Sequence, residues 1–310
     1  MSSLREALAD YLRLRRQLGH PLVSTGKRLE DFVGYVESFG ATSITTVLAV
    51  EWATLPKDVH PLRWNQRLGM VRGFARYLVA VDPGTEIPPM DLLPARQPRI
   101  APYIYTVQEI KALMNAASRL ECSGKSPLRA LTYETLIGLL AVSGIRIGEA
   151  LGLDRGDVDL LTGVLVVSAK SNRREVPLHD STTDTLRDYA ERRDRQWPLP
   201  TTEAFFVSGV GQQLSGTSIR TTFGELIAAV GLDGAGHRLR PRLHDLRHSF
   251  AVHTLIDWYQ AGVDVDHKLP ELSTYLGHKM PVSTYWYLEA VPELLELVAP
   301  TLDDVLGARS

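Results

Sequence analysis

Six prolines fall between Val81 and Thr106, in the stretch VDPGTEIPPMDLLPARQPRIAPYIYT. Proline lacks an amide proton and fixes its own φ, so no helix interior and no central strand crosses so dense a run. This run divides the 310-residue chain into an expected N-terminal domain of residues 1–98 and an expected C-terminal domain of residues 99–310. Each is long enough to bury a core of its own without disulfides or metals as staples.

Upstream of the prolines the periodicity predicts four helices, at about 3–18, 22–39, 44–54 and 61–81. In LREALADYLRLRRQL, Leu4, Leu8, Leu12 and Leu14 recur at roughly helical spacing while Arg13, Arg15 and Arg16 leave the apolar face. The stretch RWNQRLGMVRGFARYL, which opens on Arg63 and Trp64, repeats the pattern with Arg67, Arg72 and Arg76. Such arginines form either a solvated helix face or a face that contacts phosphates. Downstream, Thr106 and Glu109 stand at capping-box spacing ahead of a helix over 107–119. A buried helix follows over 127–143. Its apolar stretch LTYETLIGLLAVSGI is interrupted by Glu134 and is too short to span a bilayer. GVLVVSAK (163–170) and REVPLH (174–179) flank a short turn and predict a hairpin, with AFFVS (204–208) as a third strand. Further helices are expected at 181–194, 217–230, 244–261, 269–276 and 281–290. The fold class is therefore mainly α: an N-terminal four-helix domain, then an α+β domain with a small antiparallel sheet.

The single cysteine, Cys122, permits no internal disulfide and fits a reducing compartment. The charged N-terminus lacks the apolar run of a signal peptide, so a cytoplasmic protein with no membrane partner is expected. A net charge of −2 argues against a uniformly nucleic-acid-binding surface. The charge is nevertheless uneven. Residues 1–100 hold 13 Lys and Arg against 10 Asp and Glu, and HRLRPRLHDLRH (237–248) carries four arginines and three histidines against one aspartate. The tail beyond Glu289 is acidic. A local anion-binding face is compatible with that distribution.

Four stretches carry groups capable of chemistry. In RLHDLRHSFAVH, His244 and Arg247 are three apart and share a helix face, an arrangement suited to an anion or to a simple surface ion pair. His244 and His248 also have the spacing of a zinc helix. The motif has no adjacent glutamate, however, and Arg247 sets a fixed positive charge beside any cation, so no metal is expected. In AVSGIRIGEALGL, Arg146 follows Ser143-Gly144 at the end of the buried run, and Glu149 stands three residues on as its ion-pair partner. In SAKSNRREVPLH, Lys170 lies at the hairpin tip with Arg173 and Arg174 next to it. In LGHKMPVSTYWYLEA, Tyr285 and Tyr287 are about 200° apart on a helix, so one site takes only one of them.

Taken in order, these stretches resemble the tyrosine recombinases, or phage integrase family. SGIRIGEALGL is similar to the family's first arginine box, LHDLRHSFA to its His-x-x-Arg box, and LGH followed nine residues after its histidine by Tyr287 to its terminal box. The resemblance covers about residues 100–290, and the preceding four helices are similar to the family's core-binding domain by organisation. Because helices begin almost at once, the additional arm-binding domain of larger phage integrases is not expected.

The resemblance implies site-specific DNA cutting and rejoining through a covalent 3′-phosphotyrosine. It makes Tyr287 the nucleophile, Arg146 and Arg247 the phosphate clamps, and Lys170 the general acid, with Arg173 or Arg174 as competitors for that role. His244 becomes the base or phosphate positioner and His278 a phosphate donor. Glu149 is read here as the group that orients Arg146. Arg63, Arg67, Arg72, Arg76, Arg173, Arg174, Arg240 and Arg242 are the candidate DNA contacts. No cofactor is required. The expected partners are double-stranded DNA with inverted-repeat core sites, three further copies of the chain on synapsed DNA, and accessory proteins. YLRLRRQLG and YWYLEAVPELL are closer to transposon-borne recombinases than to chromosome-dimer resolvases. Two other functions use similar residues: a type IB topoisomerase-like relaxase, and a DNA-binding protein without catalysis.

Overall fold

The computed structural model describes residues 3–94, 102–122, 126–169, 172–234 and 241–277. The chain divides into two compact units, residues 1–100 and 101–310.

The first unit contains α1 (Leu4–Gln17), α2 (Val23–Ser38), α3 (Thr46–Thr54) and α4 (Pro61–Leu78). Three of the four start on a local capping signal; α2 follows Leu22, which makes no side-chain cap. Ser3 and Glu6 form a reciprocal capping box on α1, the Thr45 hydroxyl accepts from the Leu48 amide on α3, and Pro61 occupies the first turn of α4. Their apolar faces close on Phe32, Trp52, Leu68 and Phe74, with the Phe32 and Trp52 rings edge to face at 5.1 Å. The proline-rich stretch does not leave this unit at Val81. The Ile44 carbonyl accepts from the Glu86 amide at 2.7 Å, and Arg72 donates from Nε to the Pro88 carbonyl and from Nη2 to the Pro89 carbonyl, both at 2.7 Å. Carbonyls of a proline run have no ladder to join, and a buried guanidinium satisfies two of them.

The second unit contains α5 (Val107–Ser118), α6 (Arg129–Ser143), α7 (Ile147–Leu151), β1 (Val158–Asp159), β2 (Val164–Ala169), β3 (Asn172–Pro177), α8 (Asp180–Gln196), α9 (Gly216–Ala229), α10 (Asp245–Gln260) and α11 (Val265–Leu276). The sheet order is β1-β2-β3, antiparallel throughout, with Leu165 opposite Val176 and Val167 opposite Arg174. Leu165, Val167 and Val176 point into a core shared with Leu136, Ile137, Tyr189, Phe205, Phe206 and Leu246. A second cluster joins α10 to α11 through Val252, Leu255, Leu269, Leu272 and Leu276.

The expected third strand at 204–208 is not one. Phe205 and Phe206 are buried, and their stretch pairs only through isolated bridges, Asp154 with Ala204 and Val207 with Gln213. The third strand is the two-residue β1 instead. α11 begins at Val265, not near 269, because Asp264 caps it by accepting from the His267 amide and the helix accommodates Pro270 inside. The helix expected at 281–290 lies outside the described residues.

Candidate active site

α6 ends at Gly144, whose φ of +59° is left-handed; a Cβ there would lie 2.5 Å from the Phe250 ring. Only glycine allows both that backbone and that approach. The turn brings Arg146 to the N-cap of α7, where its backbone amide donates to Glu149 Oε2 at 2.8 Å and its Nη1 donates to Glu149 Oε1 at 2.9 Å. α11 ends in the same manner at Gly277, with φ +67°. Among the described residues its last carbonyls have no helical partner, and they carry the negative end of the helix dipole.

Three arginines from three elements supply those carbonyls with donors. Arg174 of β3 donates from Nε to the Tyr275 carbonyl at 2.8 Å, Arg247 of α10 donates from Nη2 to the Leu276 carbonyl, and Arg146 donates from Nη2 to the Gly277 carbonyl at 3.1 Å. Arg247 also donates to the Gly144 carbonyl at 2.7 Å and is 2% exposed, whereas the Arg146 side chain keeps 37% of its surface open. The two boxes are thus joined through backbone carbonyls.

Glu149 lies at the centre of this arrangement. Oε1 accepts from Arg146 Nη1 and Arg174 Nη1, and Oε2 from the Arg146 amide and Arg174 Nη2, all between 2.8 and 3.0 Å. Burial alone would raise its pKa. The hydrogen bonds from Arg174 and from Arg146, with the Arg174 charge, outweigh it and hold the carboxyl at about 2. His244 stands at the N-cap of α10, its ring against that of His248 at 4.8 Å. Partial desolvation, and then the charge of Arg247, pull its pKa below the ordinary value, and Arg146 adds in the same direction. A neutral imidazole in a field of fixed positive charge can accept a proton or a hydrogen bond.

The remaining sequence candidates divide by environment. Lys170, Arg240, His278 and Tyr287 lie outside the described residues. Arg63 and Arg76 are exposed on α4. Arg67 lies 3.8 Å from the Trp52 ring centroid and donates to the Trp52 carbonyl at 2.9 Å, so its donors face inward. Arg72 is buried on the prolyl carbonyls and does not present itself to a phosphate. Arg173 is exposed on β3. Arg242 pairs with the fully buried Asp245 but keeps 63% of its side chain open. Sequence reasoning missed two supports of the site. Asp245 holds Arg242 by its backbone amide and side chain. Tyr105 ties the start of the unit to α10: its amide donates to Ser249 Oγ at 2.8 Å and its hydroxyl to the Arg242 carbonyl at 3.2 Å. Among the described residues no cluster of three His, Cys, Asp or Glu side chains is arranged for a metal.

This arrangement sets fixed positive charge beside a neutral imidazole, a setting suited to an anion. The phage integrase family model matches residues 104–293. The protein named integrase/recombinase y4rB of Sinorhizobium fredii is 43% identical over 300 residues, covering 96% of each chain. The tyrosine recombinase XerC of Chlamydia trachomatis is 29% identical over 224 residues, covering 72% of this chain and 65% of that one. Among solved structures, the Tn1549 transposon integrase in complex with a circular intermediate DNA superposes with a TM-score of 0.66 at 16% identity, over 97% of this chain and 100% of that one. A lambda integrase tetramer bound to a Holliday junction gives 0.58 at 17% identity, over 91% and 79%; at these identities the likeness is one of fold. With the two arginine boxes brought together on a mainly helical framework, and with these relatives, the chain belongs to the phage integrase family and is a tyrosine-type site-specific recombinase.

Proposed function

We propose that this recombinase cuts each DNA strand by attack of the Tyr287 hydroxyl oxygen on the scissile phosphorus. The P–O5′ bond breaks, leaving a 3′-phosphotyrosine and a free 5′-hydroxyl. The observation that carries this reading is the meeting of Arg146 and Arg247 on consecutive carbonyls, with His244 alongside. Charge builds on the non-bridging oxygens as phosphorus is attacked. Arg146, with 37% of its side chain open, meets those oxygens directly, and Arg247, buried on the Gly144 and Leu276 carbonyls, adds its fixed positive charge from behind.

Tyr287 is mostly protonated at neutral pH, so its proton must leave during attack; neutral His244 is the acceptor. The departing 5′-oxygen takes a proton from Lys170. Attack by a 5′-hydroxyl from the partner strand reverses the sequence and releases the tyrosine, so the bond energy is conserved and neither ATP nor a metal is needed. His278 donates to the same phosphate. Arg63, Arg76, Arg173, Arg240 and Arg242 supply backbone contacts that fix the position of the duplex. The partners are inverted-repeat core sites, a tetramer of this chain on the synapsed DNA and accessory proteins, and the biological setting is movement of a transposon-like element. The Tn1549 and lambda integrase neighbours support that reading of the assembly.

The test is recovery of a DNA-linked peptide from cells expressing the protein. The expected result is a single tyrosine, Tyr287, joined to a 3′-phosphate, with the attached DNA sequence defining the site. A Tyr287→Phe protein that still yields the adduct, or wild-type protein that yields none while the element recombines, would sink the proposal.

A further inference from the structure

Arg174 was a candidate for touching DNA and for protonating the leaving group, and its surroundings fit neither. Its Nη1 and Nη2 form a fork on Glu149 at 3.0 and 2.9 Å, its Nε donates to the Tyr275 carbonyl at 2.8 Å, and the side chain is 9% exposed. All three nitrogens are engaged inside the protein. The neighbouring Arg173 points to the opposite, exposed face of the strand.

We propose that Arg174 is a positioning residue for strand cleavage: it locks the Glu149 carboxylate, and through it the Arg146 guanidinium, against the end of α11. This inference rests on the functional reading above for the reaction it serves. From Arg146 the Glu149 carboxylate receives one guanidinium bond and one backbone bond, on different oxygens. The paired bonds from Arg174 fix the carboxylate plane and fill its remaining lone pairs. Arg174 also lies against the left-handed turn at Gly277, where a Cβ would sit 2.9 Å from Arg174 Nη1. One side chain therefore sets both the carboxylate that aims Arg146 and the turn whose carbonyl Arg146 grips. Lysine keeps the charge but cannot make the fork and the third bond together.

The experiment uses full-length protein and a nicked suicide duplex carrying the DNA sequence recovered with the tyrosine peptide. Wild-type protein that binds this duplex without forming an adduct overturns the functional reading before Arg174 is varied. With active wild type, Arg174→Lys is expected to bind within about twofold of normal affinity yet form adduct about 10- to 100-fold more slowly at saturating protein, the scale of a small misplacement of a reacting or charge-bearing group. Because Arg174 acts through Arg146, Arg146→Lys and the double variant Arg146→Lys/Arg174→Lys are expected to be equally slow. Replacing the bridging 5′-oxygen by sulfur, which leaves without a proton, is expected to leave the Arg174→Lys deficit in place.

Weakened binding with a normal cleavage rate would make Arg174 a DNA contact, rescue by sulfur would make it the general acid, and losses that multiply in the double variant would separate it from Arg146. Each overturns the proposal, as does a wild-type rate in Arg174→Lys. If Arg174→Lys melts early, Glu149→Gln/Arg174→Met removes both buried charges together and carries the same expectations for binding and rate.

Discussion

Glu149 is 4% exposed at its side chain and accepts four hydrogen bonds from two arginines. Removing its charge leaves those guanidiniums facing a neutral amide, so Glu149→Gln is expected to cost about 3–5 kcal/mol in denaturant unfolding at pH 7. The pH dependence has a definite sign. The folded pKa, about 2, lies below the ordinary 4.5, so protonation favours the unfolded chain. The stabilisation is complete above about pH 4.5 and disappears as pH falls towards 2. Unfolding titrations from pH 6 to pH 2.5 are expected to show a steeper loss in wild type than in Glu149→Gln, and parallel curves would contradict the pairing. Gly144 is the second sensitive residue. Gly144→Ala combines a left-handed φ with a Cβ 2.5 Å from Phe250, and it moves the carbonyl that Arg247 grips. A loss of roughly 2 kcal/mol or more in stability is expected, with cleavage impaired beyond what stability explains. The pairings of Arg146 with Glu149 and of His244 with Arg247 could be read from their spacing, while their place in a site came from the resemblance. The partnership of Arg174 with Glu149 could not, because pairs far apart in sequence are set by how β3 lies against α7.

Among the elements, the first unit was the easiest to read: the amphipathic spacing placed α1 at 3–18 against the observed Leu4–Gln17. α7 was missed because five residues contain too little periodicity to register, and its cap is an arginine instead of a small polar residue. AFFVS suggested a strand because it opens on an apolar run; Ala204 to Val207 are all buried, and such a run has no alternation to separate strand from irregular core. In α11 the proline concealed the true start, although Asp264 offered an ordinary capping signal. Asp264→Ala is expected to remove about 1 kcal/mol and to raise hydrogen exchange selectively in α11, leaving the sheet protected. Uniform exchange throughout the second unit would show instead that α11 does not open independently.

At the scale of the whole molecule, a net charge of −2 conceals a protein that acts on DNA. The charge total was misleading because the cations it averages include arginines turned inward, such as Arg72 and Arg174, and exposed ones, such as Arg63 and Arg173. Binding to the cognate duplex is expected to fall steeply with salt, as a straight line of negative slope when log affinity is plotted against log salt. An affinity unchanged between 50 and 200 mM salt, as orders of magnitude for such tests, would rule out phosphate-led binding. In the tail, apolar residues 291, 294, 295, 298, 302, 305 and 306 recur at helical spacing, a face suited to docking on a neighbouring copy; deleting the residues after Leu295 is therefore expected to abolish synapsis while sparing single-site binding, measured by gel shift and sedimentation, and unchanged assembly would assign the tail to its own domain.

Three guanidiniums on three successive carbonyls also make α11 a ruler. Each residue added to or removed from the helix rotates its final peptide groups by about 100°, so the wrong oxygens would meet Arg146, Arg174 and Arg247. Substitutions on the outward positions Lys268 and Glu271 leave that length untouched. Lineages of this chain are therefore expected to vary freely in the chemistry of those positions while keeping the count from Asp264 to Gly277 invariant.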